Sequence, residues 1–159
     1  MKRIHVYKAS IRWSGNTGNG TRDYSSYSRN HDILIAGKQV LPASSDKAFR
    51  GDPARHTPED LLVASLSGCH MLWYLHLCAI NGVVVIGYED IAEGEMAENA
   101  DGSGQFSIVT LYPRVTVSNG GMLDKARSLH DEANRLCFIA RSVNFPVRHE
   151  PEVICLQEV

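Results

Sequence analysis

At 159 residues, 43% of them hydrophobic and 21% charged, the chain is long enough to bury a core without a disulfide scaffold, and a single domain over 1–159 is expected. The net charge is −2 and the 16 Lys and Arg are scattered, with no basic stripe, which excludes a nucleic-acid surface that tracks phosphates. The N-terminal MKRIHVYKAS lacks an apolar signal core, and the most apolar stretch, Leu61 to Ile80, carries Ser65, Ser67, His70 and His76, so neither secretion nor a membrane partner is expected.

In chain order, Ile4 to Trp13 alternates in strand fashion and Ser14 to Thr21 is Gly/Asn turn material. Further strands are predicted at Tyr24–Ser28 and His31–Ile35, giving N-terminal strands over about 1–41. Two prolines, Gly51 and several charges mark 42–57 as an irregular loop. A central helix is predicted over 58–81. Thr57 is its N-cap, Pro58 takes the first helical position, Glu59 and Asp60 face the positive helix end, and Asn81-Gly82 stops it. Apolar residues on nearly every side make it a buried helix. Two long strands follow within 83–117, Val83–Met96 and Gln105–Val117, joined by a turn at 99–104. A second helix over 122–137 aligns Leu123, Ala126, Leu129, His130, Ala133, Leu136 and Cys137 on one stripe, and a closing strand is predicted at 147–157. This order, without regular βαβ alternation, indicates an α+β fold whose sheet packs on the two helices.

The chemistry centres on Cys69 in the run LLVASLSGCHMLWYLHLCAI. Four cysteines, at 69, 78, 137 and 155, form no CxxC pair, which fits thiols kept reduced in a cytoplasm. A cysteine in an apolar helix is either a small core residue or a reactive thiol. Gly68 opens the helix surface beside Cys69, and Ser67, His70 and His76 supply polar groups that an inert core does not need. Cys69 and His76 share a face, whereas Cys78 points to the opposite side and cannot pair with Cys69 within the helix. Cys78 and Cys155 are left as core thiols. Cys137, at the end of the second helix, is either a core residue or able to reach the first helix; a disulfide requires the two Cα atoms within about 7 Å.

A reactive thiol also needs a nearby cation, for which Arg50 and Arg55 in FRGDPARHTPED and the more distant Arg22 are candidates, with Glu59 able to orient an arginine. Glu59 could equally serve only the helix dipole. Glu59 precedes Cys69 by ten residues, roughly 15 Å along a helix, so if both serve one site, Glu59 and its arginine come from the other subunit of a two-fold dimer.

TPEDLLVASLSGCH, preceded by FRGD and followed by a strand pair, a second helix and CFIARSV, resembles the OsmC/Ohr family of thiol-dependent peroxidases from about Pro42 to the C-terminus. The resemblance implies antiparallel sheets packed on two long central helices in an intertwined homodimer, with active sites at the interface. It implies Cys69 as the peroxidatic thiolate, Cys137 as the resolving cysteine, Glu59 as the acid and Arg50 as the arginine, with Arg55 and Arg22 as alternatives. The substrate is then an organic hydroperoxide or hydrogen peroxide and the reductant an external dithiol or lipoylated protein, with no bound cofactor or metal. An apolar pocket of Leu66, Met71, Trp73 and Phe138 would favour organic hydroperoxides. The rivals are a catalytically silent OsmC-like binding or structural protein, a zinc site of Cys69, His70, His76 and Cys137, and a cysteine nucleophile for acyl transfer assisted by His70 or His76.

Overall fold

The computed structural model describes residues 3–155. Contacts divide the chain into two units, the first ending at Leu61 and the second starting at Leu62.

The first unit holds an antiparallel sheet in the order β1 (Ser10–Trp13), β2 (His31–Leu34), β3 (Leu41–Ala43), with Ile11 opposite Ile33 and Asp32 opposite Pro42. The predicted first strand is shorter than expected, since Ile4 to Ala9 pair with nothing among the described residues. Tyr24–Ser28 is not a strand. Arg29 donates to the carbonyls of Tyr24 and Tyr27 at 2.8 and 2.7 Å, and Asp23 Oδ1 accepts from Ser25 N at 2.9 Å, so side chains take the groups that a ladder would use. One bridge, Asn16 to Tyr27, remains. The predicted loop 42–57 instead opens inside β3 and contains a 3-10 turn at Lys47–Phe49, N-capped by Asp46. At Gly51 a Cβ would stand 1.6 Å from the Ser45 carbonyl oxygen, so only glycine lets the two backbones approach there.

Helix α1 (Pro58–Ile80) begins and ends as its local chemistry dictates. Thr57 Oγ1 accepts from Asp60 N at 3.1 Å while Asp60 Oδ2 accepts from Thr57 N at 2.9 Å, a reciprocal capping box. At the other end Gly82 adopts φ 72, and Val83 N bonds to Cys78 O at 2.9 Å, closing a Schellman motif. By length and composition α1 could cross a membrane. It serves here as a core helix, burying Leu66, His70, Tyr74, Leu77 and Cys78.

The two predicted long strands are each broken in two: β4 (Val85–Asp90) and β5 (Glu93–Glu98), then β6 (Gly104–Leu111) and β7 (Pro113–Val117). Pro113 has no N–H to continue a ladder, and Asp90 Oδ1 accepts the Tyr112 N–H at 2.7 Å, so the ribbon turns into two sheets at this point. The closing strand also divides around Pro151 into β8 (Val147–His149) and β9 (Glu152–Cys155); its predicted last residues, 156–157, lie outside the described residues. The sheets are ordered β4-β7-β9 and β5-β6-β8, and both add their third strand in parallel, so they are mixed rather than purely antiparallel.

Helix α2 (Leu123–Leu136) is 14 residues against 23 for α1, so among the described residues one long helix is present rather than two. It turns Ala126, Leu129, His130 and Ala133 inward. Ala126, Leu129 and Ala133 meet Tyr74, Leu77 and Cys78 of α1 and Val115, Val117 and Val153 of the sheet in one core. A second core joins Leu66 to Val109 and Leu111. The fold is α+β.

Candidate active site

The outward face of α1 lines an open apolar groove of about 660 Å³ with Gly68, Cys69, Leu72, Trp73 and His76, and Phe138 closes it from beyond α2. Trp73 meets Phe138 edge-on at 5.6 Å and His76 at 5.8 Å between ring centroids. A Cβ added at Gly68 would meet nothing within 4 Å, so packing does not demand glycine there. Of the four pocket residues expected from the sequence, Trp73 and Phe138 line the groove. Leu66 does not; it is fully buried in the second core. Met71, also expected, is absent from the groove's lining.

Cys69 is half-buried at this groove, and all four cysteines are free thiols. Cys137 caps the C-terminus of α2, its own N–H bonded to Ala133 O at 2.9 Å. Its thiol is buried; burial first, and then the nearby Cys69 thiol, push it up to about 11. The Ala140 N–H donates to Cys137 Sγ at 3.4 Å and opposes the rise. The two sulfurs expected to act together are therefore neighbours. Cys78 lies on the other side of α1 in the first core, where burial raises its thiol. Cys155 is half-buried on β9, near Gly120.

The register of α1 around Cys69 is anchored by Ser67, whose hydroxyl donates to Asp90 Oδ2 at 2.5 Å. The same carboxylate holds the Tyr112 N–H, which ties the helix to the junction of the two sheets.

His70 turns away from Cys69 into the core. Its Nε2 lies 3.0 Å from His130 Nδ1, and both residues are 1% exposed. Tyr74 stacks on the His130 ring at 3.9 Å, and His149 of β8 lies 5.4 Å from the His70 ring and bonds Asp131 Oδ1 at 3.0 Å. Burial, reinforced electrostatically by His149, lowers His70 to about 4; burial, then His70 and His149, lowers His130 to about 3. His130 was visible in the sequence as a histidine on the apolar stripe of α2, but nothing marked His70 and His149 as its neighbours. The zinc set of Cys69, His70, His76 and Cys137 does not assemble, since His70 faces the core while His76 is exposed. Among the described residues no group of three or more His, Cys, Asp or Glu is placed to hold a metal ion.

The other predicted site residues belong to the first unit. Glu59 sits half-buried in the first turn of α1. Arg55 is engaged by Asp32 at 3.7 Å and Asp52 at 3.6 Å, and Arg22 lies 3.9 Å from Asp23. Arg50 has a left-handed backbone, φ 65, and its guanidinium stands 6.0 Å from the Tyr24 ring centroid.

No curated protein matches the chain. Among solved structures, an OsmC-like protein of unknown function from Vibrio cholerae is 30% identical with a TM-score of 0.83, the match covering 94% of this chain and 100% of that one. An organic hydroperoxide resistance protein from Legionella pneumophila, 15% identical over 98% of this chain and 100% of its own, shares the fold at a TM-score of 0.70. One from Bacillus subtilis does so at 0.62, with 16% identity over 93% and 98%. The family profile for OsmC-like protein matches residues 51–152, a span that takes in Cys69, Cys137, both helices and the strands from β4 to β8, and the chain belongs to that family.

Proposed function

We propose that the protein is a thiol-dependent peroxidase that reduces organic hydroperoxides. The observation that carries this is the nearness of the Cys137 thiol to Cys69, which opens on an apolar groove. Two of the structural neighbours are named as organic hydroperoxide resistance proteins, which agrees with it. In the first step the Cys69 thiolate attacks the distal oxygen of the hydroperoxide. The O–O bond breaks, the alkoxide takes a proton and leaves as an alcohol, and Cys69 becomes a sulfenic acid. Cys137 then gives up its proton to the departing hydroxyl as its sulfur attacks the sulfenic sulfur; water leaves and a disulfide remains. An external dithiol or lipoylated protein returns both thiols by exchange, without a bound cofactor.

Arg50 is the proposed cation for Cys69 and Glu59 its orienting acid. Arg55 and Arg22 have carboxylate partners, whereas Arg50 has none among the described residues, and it is the one non-glycine with positive φ there. Strained backbone of this kind concentrates at functional positions. Both residues would be supplied across a homodimer. Support for a second copy comes from apolar side chains left in solvent: Tyr7 at 89%, Phe138 at 68% and Leu72 at 65% exposure.

The test is turnover of cumene and tert-butyl hydroperoxide with dithiothreitol. The wild type should reduce both and Cys69→Ser neither. Absence of wild-type turnover with either peroxide refutes the proposal and leaves a silent OsmC-like protein.

A further inference from the structure

The buried histidines take no part in the chemistry above, and they are a poor way to stabilise a core. His70 Nε2 and His130 Nδ1 satisfy each other, but His70 Nδ1 and His130 Nε2 are buried without a protein partner. Buried polar atoms of this kind are costly, and apolar residues of similar shape in both places would serve stability as well or better. The pair is therefore not explained by stability.

Its position offers another explanation. His70 follows Cys69 directly on α1, and His130 lies two turns before Cys137 on α2. Among the described residues their hydrogen bond is the one side-chain hydrogen bond that joins the two helices. Beside the stack of Tyr74 on the same His130 ring, the α1–α2 packing is apolar and directionless, through Leu77, Ala126, Leu129 and Ala133. A directional bond at His130 fixes how α2 is set against α1, and Cys137 rides on α2 roughly 10 Å further along. Tyr74 stacked on one face of His130, and His149 held by Asp131 beside His70, keep both rings in orientation.

We infer that the His70–His130 bond is a positioning link that sets how readily Cys69 and Cys137 close into a disulfide. It rests on Cys69 and Cys137 being a redox pair, and His70 and His130 touch neither substrate nor the reacting sulfurs.

The link is tested on the full-length protein by closing the pair with diamide, which takes two electrons and two protons from two thiols. Peptide mass spectrometry follows the Cys69–Cys137 bond over time, and dithiothreitol redox buffers give its potential. His130→Phe keeps a ring on Tyr74 but removes Nδ1. It should slow closure by about tenfold or more, and a tenfold weaker disulfide raises the potential by about 30 mV. His130→Asn, whose amide stands near the position of Nδ1, should recover most of the rate. His70→Leu against His70→Gln repeats the comparison from the other ring should His130→Phe fail to fold. A folded His130→Phe with wild-type rate and potential overturns the link, as does an Asn variant no faster than Phe, or a wild type that forms no Cys69–Cys137 bond. A wild type that closes under diamide yet reduces no hydroperoxide refutes the peroxidase and leaves the link standing. Full peroxide turnover together with unaltered closure in His130→Phe does the reverse.

Discussion

Leu66 and Leu72 stand six residues apart on α1 with the same side chain, yet the first is fully buried and the second is 65% exposed. Cys78 and Cys69 divide in the same way, one packed in the core and one opening on the groove. The inward face, with Leu66, His70, Tyr74 and Leu77, is built for cohesion. The outward face is apolar as well but has little of its own chain to pack on. The difference teaches that composition alone does not assign a role to a residue of this helix; the neighbour it meets does.

The sharpest way to break this comparison is at the two cysteines. Cys69→Ser should lower peroxide turnover by at least about a thousandfold, while Cys78→Ser, remote from the groove, should leave the rate within about twofold and cost only stability. Equal losses in a steady-state assay would erase the functional distinction between the faces.

The leucines come next. Leu66→Ala should cost about 2–5 kcal/mol in urea unfolding, as for a fully buried leucine. Leu72→Ala should cost about 0.5 kcal/mol or less. A larger cost at Leu72 that grows on dilution would instead report a second copy seated on that face.

Acid should act on the inward face. His70 and His130 are held at about 4 and about 3 against an ordinary value of 6.5, so below that value the unfolded chain binds more protons than the folded one. Their contribution is therefore fully present above about pH 6.5 and is lost as pH falls toward 4, by up to about 1.4 kcal/mol per pH unit for each ring. Urea midpoints measured from pH 8 to 4 check this, and replacing both rings by Leu and Phe should flatten the profile. A profile that keeps its slope in that double variant would place the titration elsewhere.

The smallest effect belongs to Gly68. A Cβ there enters open groove, so Gly68→Ala should raise stability by up to about 1 kcal/mol while slowing cumene hydroperoxide more than tert-butyl hydroperoxide. Faster turnover of both, or a lower melting temperature, would mean that the opening beside Cys69 is not a substrate seat.

How far such features could be read from the sequence depended on how local their causes are. The start of α1 was legible because Thr57 and Asp60 cap each other within one turn, and its end because Asn81-Gly82 supplies a left-handed residue where the helix needs one. The breaks in the long strands were not, since one depends on Asp90 reaching Tyr112 across 22 residues. Tyr24–Ser28 has strand-like composition, but Arg29 takes its carbonyls. The groove was half legible. Trp73 and Phe138 were named as lining, but α1 is apolar on all sides and offers no period to separate Leu66 from Leu72. Cys69 and Cys137 were paired through family resemblance rather than spacing, and their sulfurs do adjoin.

The two mixed sheets share a dependence that bears on how the protein is made. Each is completed by a parallel strand from one short run, β8 on β6 and β9 on β7, after α2 has been laid between. During synthesis neither sheet can finish until residues 147–155 have left the ribosome, and until then β6 and β7 carry unpaired edges. Such late, non-local pairing makes folding slow. A stalled or clipped chain would thus carry Cys69 on α1 while lacking the last strands of both sheets, a species open to promiscuous disulfides and to edge-to-edge aggregation.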